Sequence, residues 1–476
     1  MHFSIPDTQQ LSDDSGKYTG YNLHLNGEYH CTLRYKQLHN FNEQLRKLYG
    51  SENVPLFPPK KLFPLSMVQI DERRAHLEKY MQSVAQSNLL RNCEVVVSFL
   101  QLAQQESYGE EIHDVSLDIY LMNNVQTTIT VSSNDSYTVV LERVCNELCL
   151  PNTYTYYFAL FLVSCSNDNH LSIIRKLQPY ECPYISQKTI PGSLRLYLMK
   201  NYWDLDYDLE LMTDPVGLGI LYAQAVSDVR RECIVVHQDT RTILNQLEAS
   251  GAKKEYVDLA RKLKYYGFLE FEPCTCDFPK PNTRVVVNIG MREINFRIRS
   301  TDGEIREGTF KVTRMRCWKI TINKEEDTND MNGVDGSHHN ASSSTTQLAF
   351  EYLLAKNKLQ WITIQSEQAI LMSNLLQSII DELVLKKSHQ EDDSRSGRLS
   401  NGNSFYYMKR DGSSQITSPS ISSTELDSNS SNGSNESRNS LGRRSSSKLS
   451  AVGMRVMGKS PFVENDAFEG IGDDDL

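Results

Sequence analysis

The sequence predicts a protein of the α+β class that consists of several domains and a disordered C-terminal tail. Its 476 residues leave room for about three domains of ordinary size. Strand-like and helical patterns alternate in blocks up to residue 388. Beyond it, serine, asparagine, glycine and charged residues dominate, and a segment of that composition cannot bury a hydrophobic core. We therefore expect four folded blocks followed by a disordered tail, residues 389–476.

The composition indicates a soluble cytosolic protein and excludes several other classes. The formal net charge is −10 and no long basic block is present, which argues against generic nucleic-acid binding. The start of the chain lacks the features of a secretory signal, and no apolar stretch reaches the ~18 residues of a membrane span. The ten cysteines show no repeating spacing, so we expect reduced thiols and no zinc site.

The first block, residues 1–108, is predicted to contain strands followed by helices. Asn26-Gly27 is a strong hairpin signal between two strand-like stretches. A helical pattern follows, and the prolines of "NVPLFPPKKLFPL" then exclude regular structure. Two further helices complete the block, one at roughly 66–86 and one that ends near Gln105.

The second and third blocks differ in their patterns. Residues 112–201 read as strand, turn, strand, helix, strand and strand, which is the order of a small ubiquitin-like roll; the helix stops at Pro151. Residues 203–272 are predicted to be helical, because Pro215 suits the first turn of one helix and Gly251 ends another.

The fourth block, residues 273–388, contains six strand-like stretches and a final helix at roughly 366–387. A strand barrel capped by one helix is the architecture of pleckstrin-homology and phosphotyrosine-binding domains. A polar loop interrupts the strands, but the spacing of its acidic residues does not fit a calcium loop, so we predict no metal and no cofactor. Motifs for phosphate loops, nucleophile elbows, zinc proteases and kinases are missing from the sequence, so we predict a binding protein and not an enzyme.

Three cations in the first block suggest a phosphate-binding site. Arginine offers a planar fork of donors to a phosphate, so Arg34, Lys60 and Arg73 together could hold a phosphorylated inositol, with Tyr35 stacked beneath the sugar. Exposed apolar residues beside cations suit a shallow dip into a membrane interface. The candidates for that dip are Leu62, Phe63 and Leu65. The alternative interpretation is a set of ordinary surface charges beside a buried loop.

A second candidate surface is a peptide groove in the fourth block. An unpaired edge strand offers main-chain groups to an extended peptide, and the stretch "RCWKITI" is a candidate for that edge. Trp318 would form one wall of the groove, and Ile380 and Val384 of the final helix would form the other. The alternative is that all three side chains belong to the core.

The ordered residues "RYKQL", "FPPKK" and "RR" resemble the PX (phox-homology) domain of sorting nexins, which binds phosphatidylinositol 3-phosphate. The resemblance implies that Arg34 takes the 3-phosphate and Tyr35 stacks on the inositol. It also implies that Lys60, or its neighbour Lys61, holds the 1-phosphate and that Arg73 binds the ring hydroxyls. The predicted lipid-binding residues are Arg34, Tyr35, Lys36, Lys60 and Arg73. Many members of the resembling family carry serine or arginine at the position of Lys36.

The order of the blocks, with "GTFKVTRMRCWKI" and the ending "FEGIGDDDL", resembles the sorting nexins that join a PX domain to an atypical FERM domain. The roll, the helical block and the barrel would then be the F1, F2 and F3 modules. The resemblance implies an adaptor on the cytosolic face of early endosomes that protects receptors from lysosomal degradation. Its barrel would bind NPxY or NxxY motifs in lipoprotein-receptor and integrin β tails through Trp318, Ile380 and Val384. Its acidic end with Leu476 would recruit Retriever, part of the Commander assembly.

The end of the tail carries a motif of its own. In "NDAF", Asn465 favours a turn and Phe468 can fill an aromatic pocket, so we expect the tail to occupy the peptide groove of its own chain. The side chain and carboxylate of Leu476, with the preceding aspartates, suit a basic partner pocket. Two alternatives stay open: a solubilising acidic tail, and a FERM-type structural linker between receptors and cytoskeleton.

Overall fold

The structure is a computed structural model, and it describes nine stretches of the chain. They are residues 2–13, 16–61, 63–165, 171–299, 305–324, 344–391, 405–410, 413–417 and 462–469. Among the helices that the structure describes in these stretches, none has the length and apolarity required to cross a bilayer.

The first domain is a four-stranded antiparallel sheet packed against three helices. Its strands are β1 (Phe3–Ser4), β2 (Thr8–Asp13), β3 (Gly16–Leu25) and β4 (Glu28–Arg34), and its helices are α1 (Tyr35–Tyr49), α2 (Met67–Gln86) and α3 (Glu94–Tyr108). β3 is the hub, because β1, β2 and β4 all pair with it. Phe41 of α1 and Phe99 of α3 stack in the core with ring centroids 4.2 Å apart. Ser66 is the N-cap of α2, and its side chain forms a capping box with Gln69.

The roll is a five-stranded mixed sheet in the order β6-β5-β9-β7-β8. Its strands are β5 (Asp114–Tyr120), β6 (Gln126–Ser132), β7 (Phe158–Cys165), β8 (Leu171–Lys176) and β9 (Leu194–Lys200), and its helices are α4 (Tyr137–Glu147) and α5 (Pro183–Thr189). β5 and β9 run parallel near the centre of the sheet. The predicted four strands and one helix are present, and the structure adds β8 and α5, which the sequence prediction missed. α4 packs on one face of this sheet, and its apolar side chains join those of the central strands in one core.

The helical module follows the roll closely. It consists of α6 (Asp206–Leu211), α7 (Pro215–Arg230), α8 (Gln238–Ser250) and α9 (Lys253–Ala260). Pro215 opens α7 behind the N-cap Asp214, and Gly251 ends α8 in the left-handed region, as the sequence predicts. The buried carboxylate of Asp208 pairs with Lys200 of the roll and with Arg261, which fixes the module to its neighbour.

The fourth domain is a strongly bent sheet closed by a long helix. Its strands are β10 (Leu269–Glu270), β11 (Cys274–Cys276), β12 (Thr283–Gly290), β13 (Glu293–Arg299), β14 (Ile305–Lys311), β15 (Met315–Lys324), β16 (Ser344–Ala355) and β17 (Lys358–Gln365), and its helix is α10 (Ala369–Glu391). In the order β14-β13-β12-β11-β17-β16-β15, β15 is the edge strand of the barrel sheet. One core cluster spans this barrel and one face of the roll, so the two modules pack without a polar layer between them.

Two parts of the segment after α10 fold onto the body. Strands β18 (Phe405–Met408) and β19 (Ser414–Thr417) form a hairpin against the first domain. Strand β20 (Val463–Glu464) pairs with β15 and extends the barrel sheet. The sequence prediction treated 389–476 as one tail; its described parts therefore contain order that the composition did not indicate.

Candidate functional site

Arg34 is placed by the change from strand to helix in the first domain. It is the last residue of β4 and the N-cap of α1, and its main-chain N–H donates to Oε1 of Gln37 at 2.9 Å. Its guanidinium lies over the ring of Tyr18, with Cζ 3.7 Å from the ring centroid. The cap and the aromatic contact together fix where this arginine stands.

Tyr35 connects three parts of the predicted lipid site. Its hydroxyl donates to the carbonyl oxygen of Pro58 at 2.8 Å, which ties α1 to the proline-rich turn. Cζ of Arg73 on α2 stands 4.3 Å from the centroid of the Tyr35 ring. Burial raises the pKa of Tyr35 despite the opposing charge of Arg73, so the hydroxyl remains a donor. The structure thus brings Tyr35, Arg73 and the turn before Lys60 together. Arg34 precedes Tyr35 in the chain, and its guanidinium contacts Tyr18.

Arg73 carries a buried donor that lacks a partner. Among the described residues, none accepts a hydrogen bond from its Nη2 atom, although that atom is shielded from solvent. A buried donor in this state costs about 1–3 kcal/mol, because the hydrogen bond to water is lost and not replaced. A hydroxyl or phosphate oxygen placed beside it would remove that cost. The side chains of Lys36, Lys60 and Lys61 are exposed, and the geometry does not separate the last two as ligands.

The apolar residues around the proline-rich turn only partly follow the sequence prediction. Phe63 is 83% exposed, Leu65 is half-buried, and Leu62 lies outside the described residues. Three further exposed apolar side chains were missed, namely those of Leu56 (89%), Met67 (76%) and Val68 (69%). Helical periodicity puts Met67 on the same face as the buried Ile70, so the pattern alone assigns it to the core. It is exposed because the first turn of α2 extends past that core.

The edge of the barrel is the second candidate site, and the tail occupies it. Cys317 and Trp318 of β15 pair antiparallel with Glu464 and Val463 of β20. In the structure the tail lies along "RCWKITI" as an added strand. That this edge binds peptides of other proteins stays a prediction. The peptide adds a strand to the sheet through main-chain hydrogen bonds.

Asn465 makes the most specific contact of the docked tail. Its Nδ2 atom donates to the carbonyl oxygens of Val312 at 2.9 Å and Met315 at 2.6 Å. Its main-chain N–H donates to the carbonyl oxygen of Arg316 at 3.1 Å, and the residue is only 7% exposed. These acceptors belong to the turn that precedes β15 and to its first residues. Because they are main-chain atoms, no residue type in the sequence could have identified them.

The tail turns immediately after Asn465. Oδ1 of Asn465 accepts from the N–H of Ala467 at 2.9 Å, and its carbonyl oxygen accepts from the N–H of Phe468 at 3.1 Å. Ala467 is 2% exposed and belongs to the barrel core, whereas Phe468 stays 37% exposed. The sequence suggested that Phe468 fills a pocket; in the structure the turn directs Ala467 inward instead. Leu476 and the three preceding aspartates lie outside the described residues.

The flanks of the docked segment add further contacts. Phe462 packs on Trp361 with ring centroids 5.4 Å apart, and Nζ of Lys319 stands 5.4 Å from the Phe462 centroid. On the other side, Asp466 accepts from Nδ2 of Asn88 in the first domain at 2.7 Å. Docking therefore involves both the barrel and the first domain.

The three predicted groove side chains lie beneath and beside this edge. Trp318 is 1% exposed, and its Nε1 donates to Oγ of Ser373 in α10 at 2.9 Å. Ile380 is equally buried in the same core cluster as Ala467, whereas Val384 is 37% exposed. Trp318 and Ile380 thus form part of the core that supports the docked segment and do not present an open wall.

Comparison with known proteins agrees with this architecture. Four family models match consecutive parts of the chain: PX domain (residues 21–103), sorting nexin 17/27/31 FERM domain F1 lobe (115–203), sorting nexin 17/31 FERM domain F2 lobe (204–264) and Sorting Nexin 17 FERM C-terminal domain (267–384). Sorting nexin-17 of Danio rerio is 42% identical over 491 aligned residues, and that of Homo sapiens is 42% identical over 488; in both comparisons all of each chain is covered.

The chain belongs to the sorting nexin-17 family. Human sorting nexin-31 is more distant, at 33% identity over 81% of this chain and 86% of its own length. The predicted relationship to PX-FERM sorting nexins and the predicted fold class are therefore confirmed.

Membership in the sorting nexin-17 family settles the general role. A sorting nexin with a PX domain and a FERM domain is an endosomal sorting adaptor, and this family is not an enzyme class. The PX domain implies phosphoinositide binding, the FERM domain implies binding of cargo tails, and both agree with peripheral association with endosomal membranes. The family favours this role over the cytoskeletal linker that the sequence left open.

Proposed function

We propose that this adaptor binds phosphatidylinositol 3-phosphate on early endosomes, takes NPxY or NxxY cargo tails at the β15 edge, and recruits Retriever, part of Commander, through its C-terminus. Lipoprotein-receptor and integrin β tails are the proposed cargo. The cargo then returns to the cell surface and escapes lysosomal degradation. The single observation that carries the proposal is the occupied edge of β15, where an N-x-x-F segment is already seated.

Lipid binding is supported by the arrangement around Tyr35. We assign the 3-phosphate to Arg34, the inositol face to Tyr35, the 1-phosphate to Lys60 or Lys61, and the ring hydroxyls to Arg73. The partnerless Nη2 atom of Arg73 supports this assignment, because a sugar hydroxyl would supply the acceptor that the described residues lack. Lys36 is exposed next to the pair and adds positive charge.

Membrane contact is proposed for the exposed apolar residues around the proline-rich turn. Phe63 and Met67 are both more than three-quarters exposed. The transfer of such side chains from water into the membrane interface, beside an anchored headgroup, lowers the free energy. A single headgroup site has modest affinity, and a cargo tail in the same membrane adds avidity.

Cargo binding is proposed to repeat the contacts of the docked tail. The Asn of an NPxY motif can donate to the carbonyls of Val312 and Met315 as Asn465 does, while the preceding residues pair with β15. Trp318 and Ile380 would support the peptide from the core, and Val384 would flank it. Cargo and tail then compete for one edge, and the covalent connection gives the tail an effective concentration of about 1 mM.

Release of the tail would link cargo to recruitment. Leu476 lies seven residues beyond Glu469, the last described residue of the docked segment. We infer that cargo displaces the segment and frees its acidic end, whose aspartates steer it to a basic pocket that takes the leucine side chain and carboxylate. Replacement of Leu476→Gly should abolish capture of purified Retriever and leave cargo binding intact. Equal capture by the variant and the wild type would refute the recruitment role.

The lipid step is tested with vesicles that contain one phosphoinositide each. The wild-type chain should sediment with phosphatidylinositol 3-phosphate vesicles, and Arg34→Gln should lose about tenfold or more in affinity, because a charge-assisted hydrogen bond is removed. Arg306→Gln is the matched control, since Arg306 is an exposed arginine on the barrel. Undiminished binding by Arg34→Gln would contradict the proposed site.

A further inference from the structure

The hairpin of β18 and β19 inserts one aromatic side chain into the PX domain. Tyr407 is 1% exposed, and its ring lies 5.8 Å from that of Phe99, centroid to centroid. Its hydroxyl donates to Oε2 of Glu106 at 2.6 Å, and Nε2 of Gln37 donates to that hydroxyl at 3.0 Å. Nε2 of Gln37 also donates to the carbonyl oxygen of Met408 at 3.0 Å. A slot between α1 and α3 thus accepts a tyrosine from the tail.

Arg410, two residues after the end of β18, makes the second set of contacts with the PX domain. Its main-chain N–H donates to Oε1 of Glu106 at 2.6 Å, and its Nε donates to the carbonyl oxygen of Thr32 at 3.1 Å. Its Nη2 also donates to Oγ of Ser107. Glu106 therefore accepts from both Tyr407 and Arg410, and the backbone of Arg410 is fixed against the PX domain.

The hairpin reaches the proposed lipid site at Arg34. Nη1 of Arg34 donates to the carbonyl oxygen of Arg410 at 2.7 Å, across 376 positions of sequence. The guanidinium of Arg34 is thereby held between this carbonyl and the ring of Tyr18. A carbonyl oxygen carries no formal charge, so this contact orients the guanidinium and places no negative charge of its own beside it.

We propose that the docked hairpin is a part of the phosphoinositide site and positions Arg34 for the phosphate, so that lipid and hairpin strengthen each other's binding to the PX domain. This inference rests on the proposed lipid-binding function. An arginine that is oriented before the ligand arrives loses less rotamer freedom on binding. The hairpin also adds the cationic side chains of Lys409 and Arg410 to this side of the domain.

If the hairpin strengthens lipid binding, the lipid must strengthen hairpin docking by the same factor. This reciprocity can be tested on the unaltered chain. Amide hydrogen exchange of residues 405–410 is measured in the full-length protein with and without soluble dibutanoyl phosphatidylinositol 3-phosphate. The lipid should slow exchange about fivefold. Dibutanoyl phosphatidylinositol should leave it unchanged, and exchange in 462–469 should respond to neither. Unchanged exchange with the 3-phosphate would refute the inference. Faster exchange would also refute it and would indicate that hairpin and phosphate compete for Arg34.

Variants test the same coupling from the other side. Tyr407→Ala should weaken affinity for the soluble 3-phosphate about fivefold, and Tyr407→Phe, which keeps the ring, should weaken it less. Tyr156→Ala is the control, because Tyr156 is an exposed tyrosine of the F1 module. If Arg34→Gln loses lipid binding while Tyr407→Ala matches wild type, the inference fails and the lipid site stands. If the wild-type chain does not bind the lipid, the proposed function fails and the inference fails with it.

Discussion

At the edge of the F3 barrel the docked segment is held mainly by its backbone and by Asn465, whereas on the PX domain the hairpin is held by Tyr407 and Arg410. The barrel contact uses carbonyl oxygens that precede or begin β15, and any extended peptide with a suitably placed Asn can reach them. The PX contact requires a tyrosine hydroxyl and an arginine backbone that meet one carboxylate. The first contact is suited to exchange with other peptides, and the second is specific to this chain.

The largest expected effect comes from removing the asparagine. Asn465→Ala removes the two side-chain hydrogen bonds to Val312 and Met315 and the acceptor of the turn. The tail should then release the barrel edge, and affinity for an NPxY peptide should rise about tenfold, because the tethered competitor is lost. Titration calorimetry with the full-length chain measures this change.

The matched control for that titration is Glu464→Ala. Glu464 is exposed and pairs with β15 through its main chain, so its side chain should not affect docking. Equal peptide affinity for Asn465→Ala and the wild type would show that the barrel contact does not compete with cargo. The proposed difference between an exchangeable barrel contact and a chain-specific PX contact would then be refuted.

An intermediate effect is expected at the PX contact. Glu106→Gln replaces a carboxylate that accepts from Tyr407 and Arg410 with an amide that carries donors of its own. Exchange of amide hydrogens in residues 405–410 should accelerate about fivefold, since charge-assisted hydrogen bonds are weakened. Exchange in residues 462–469 should not change, because the contact of that segment with the PX domain is made at Asn88 and does not involve Glu106. Acceleration in both segments would mean that they dock as one unit.

The smallest effect is expected from surface charge at the barrel. Lys387 of α10 pairs with Glu469, and both side chains are more than half exposed. Solvent screens such a pair, so Lys387→Ala should change NPxY affinity by less than about twofold. The same titration at low and moderate salt measures this change. A large, salt-dependent change would show that charge, rather than the backbone and Asn465, dominates the barrel contact.

The sequence predicted the parts of the molecule that depend on local pattern. The order "RYKQL", "FPPKK" and "RR" indicated the PX domain, and alternation and helical spacing separated the later modules. The architecture of a helix-capped barrel made the stretch around Trp318 a candidate edge strand. The asparagine motif at Asn465 was visible because a turn residue and an aromatic stand at a recognisable spacing.

The remaining features depend on contacts between distant parts of the chain. The stretch "FYYM" is too short to indicate a strand. It is fixed by the hydrogen bond from Tyr407 to Glu106, which lies 301 positions earlier in the chain. The exposure of Met67 was missed because periodicity reports the face of a helix and not where the core ends. The inward direction of Ala467, rather than Phe468, is set by the turn at Asn465.

The hairpin also changes the geometry of the tether. Without it, the last described contact before β20 is the end of α10, at Glu391; with it, that contact is Thr417, and the number of residues up to β20 is about a third smaller. A connection with fewer residues confines its end to a smaller volume, which raises the local concentration of that end at the barrel. Docking of the hairpin on the PX domain therefore shortens the connection to the segment that contains β20.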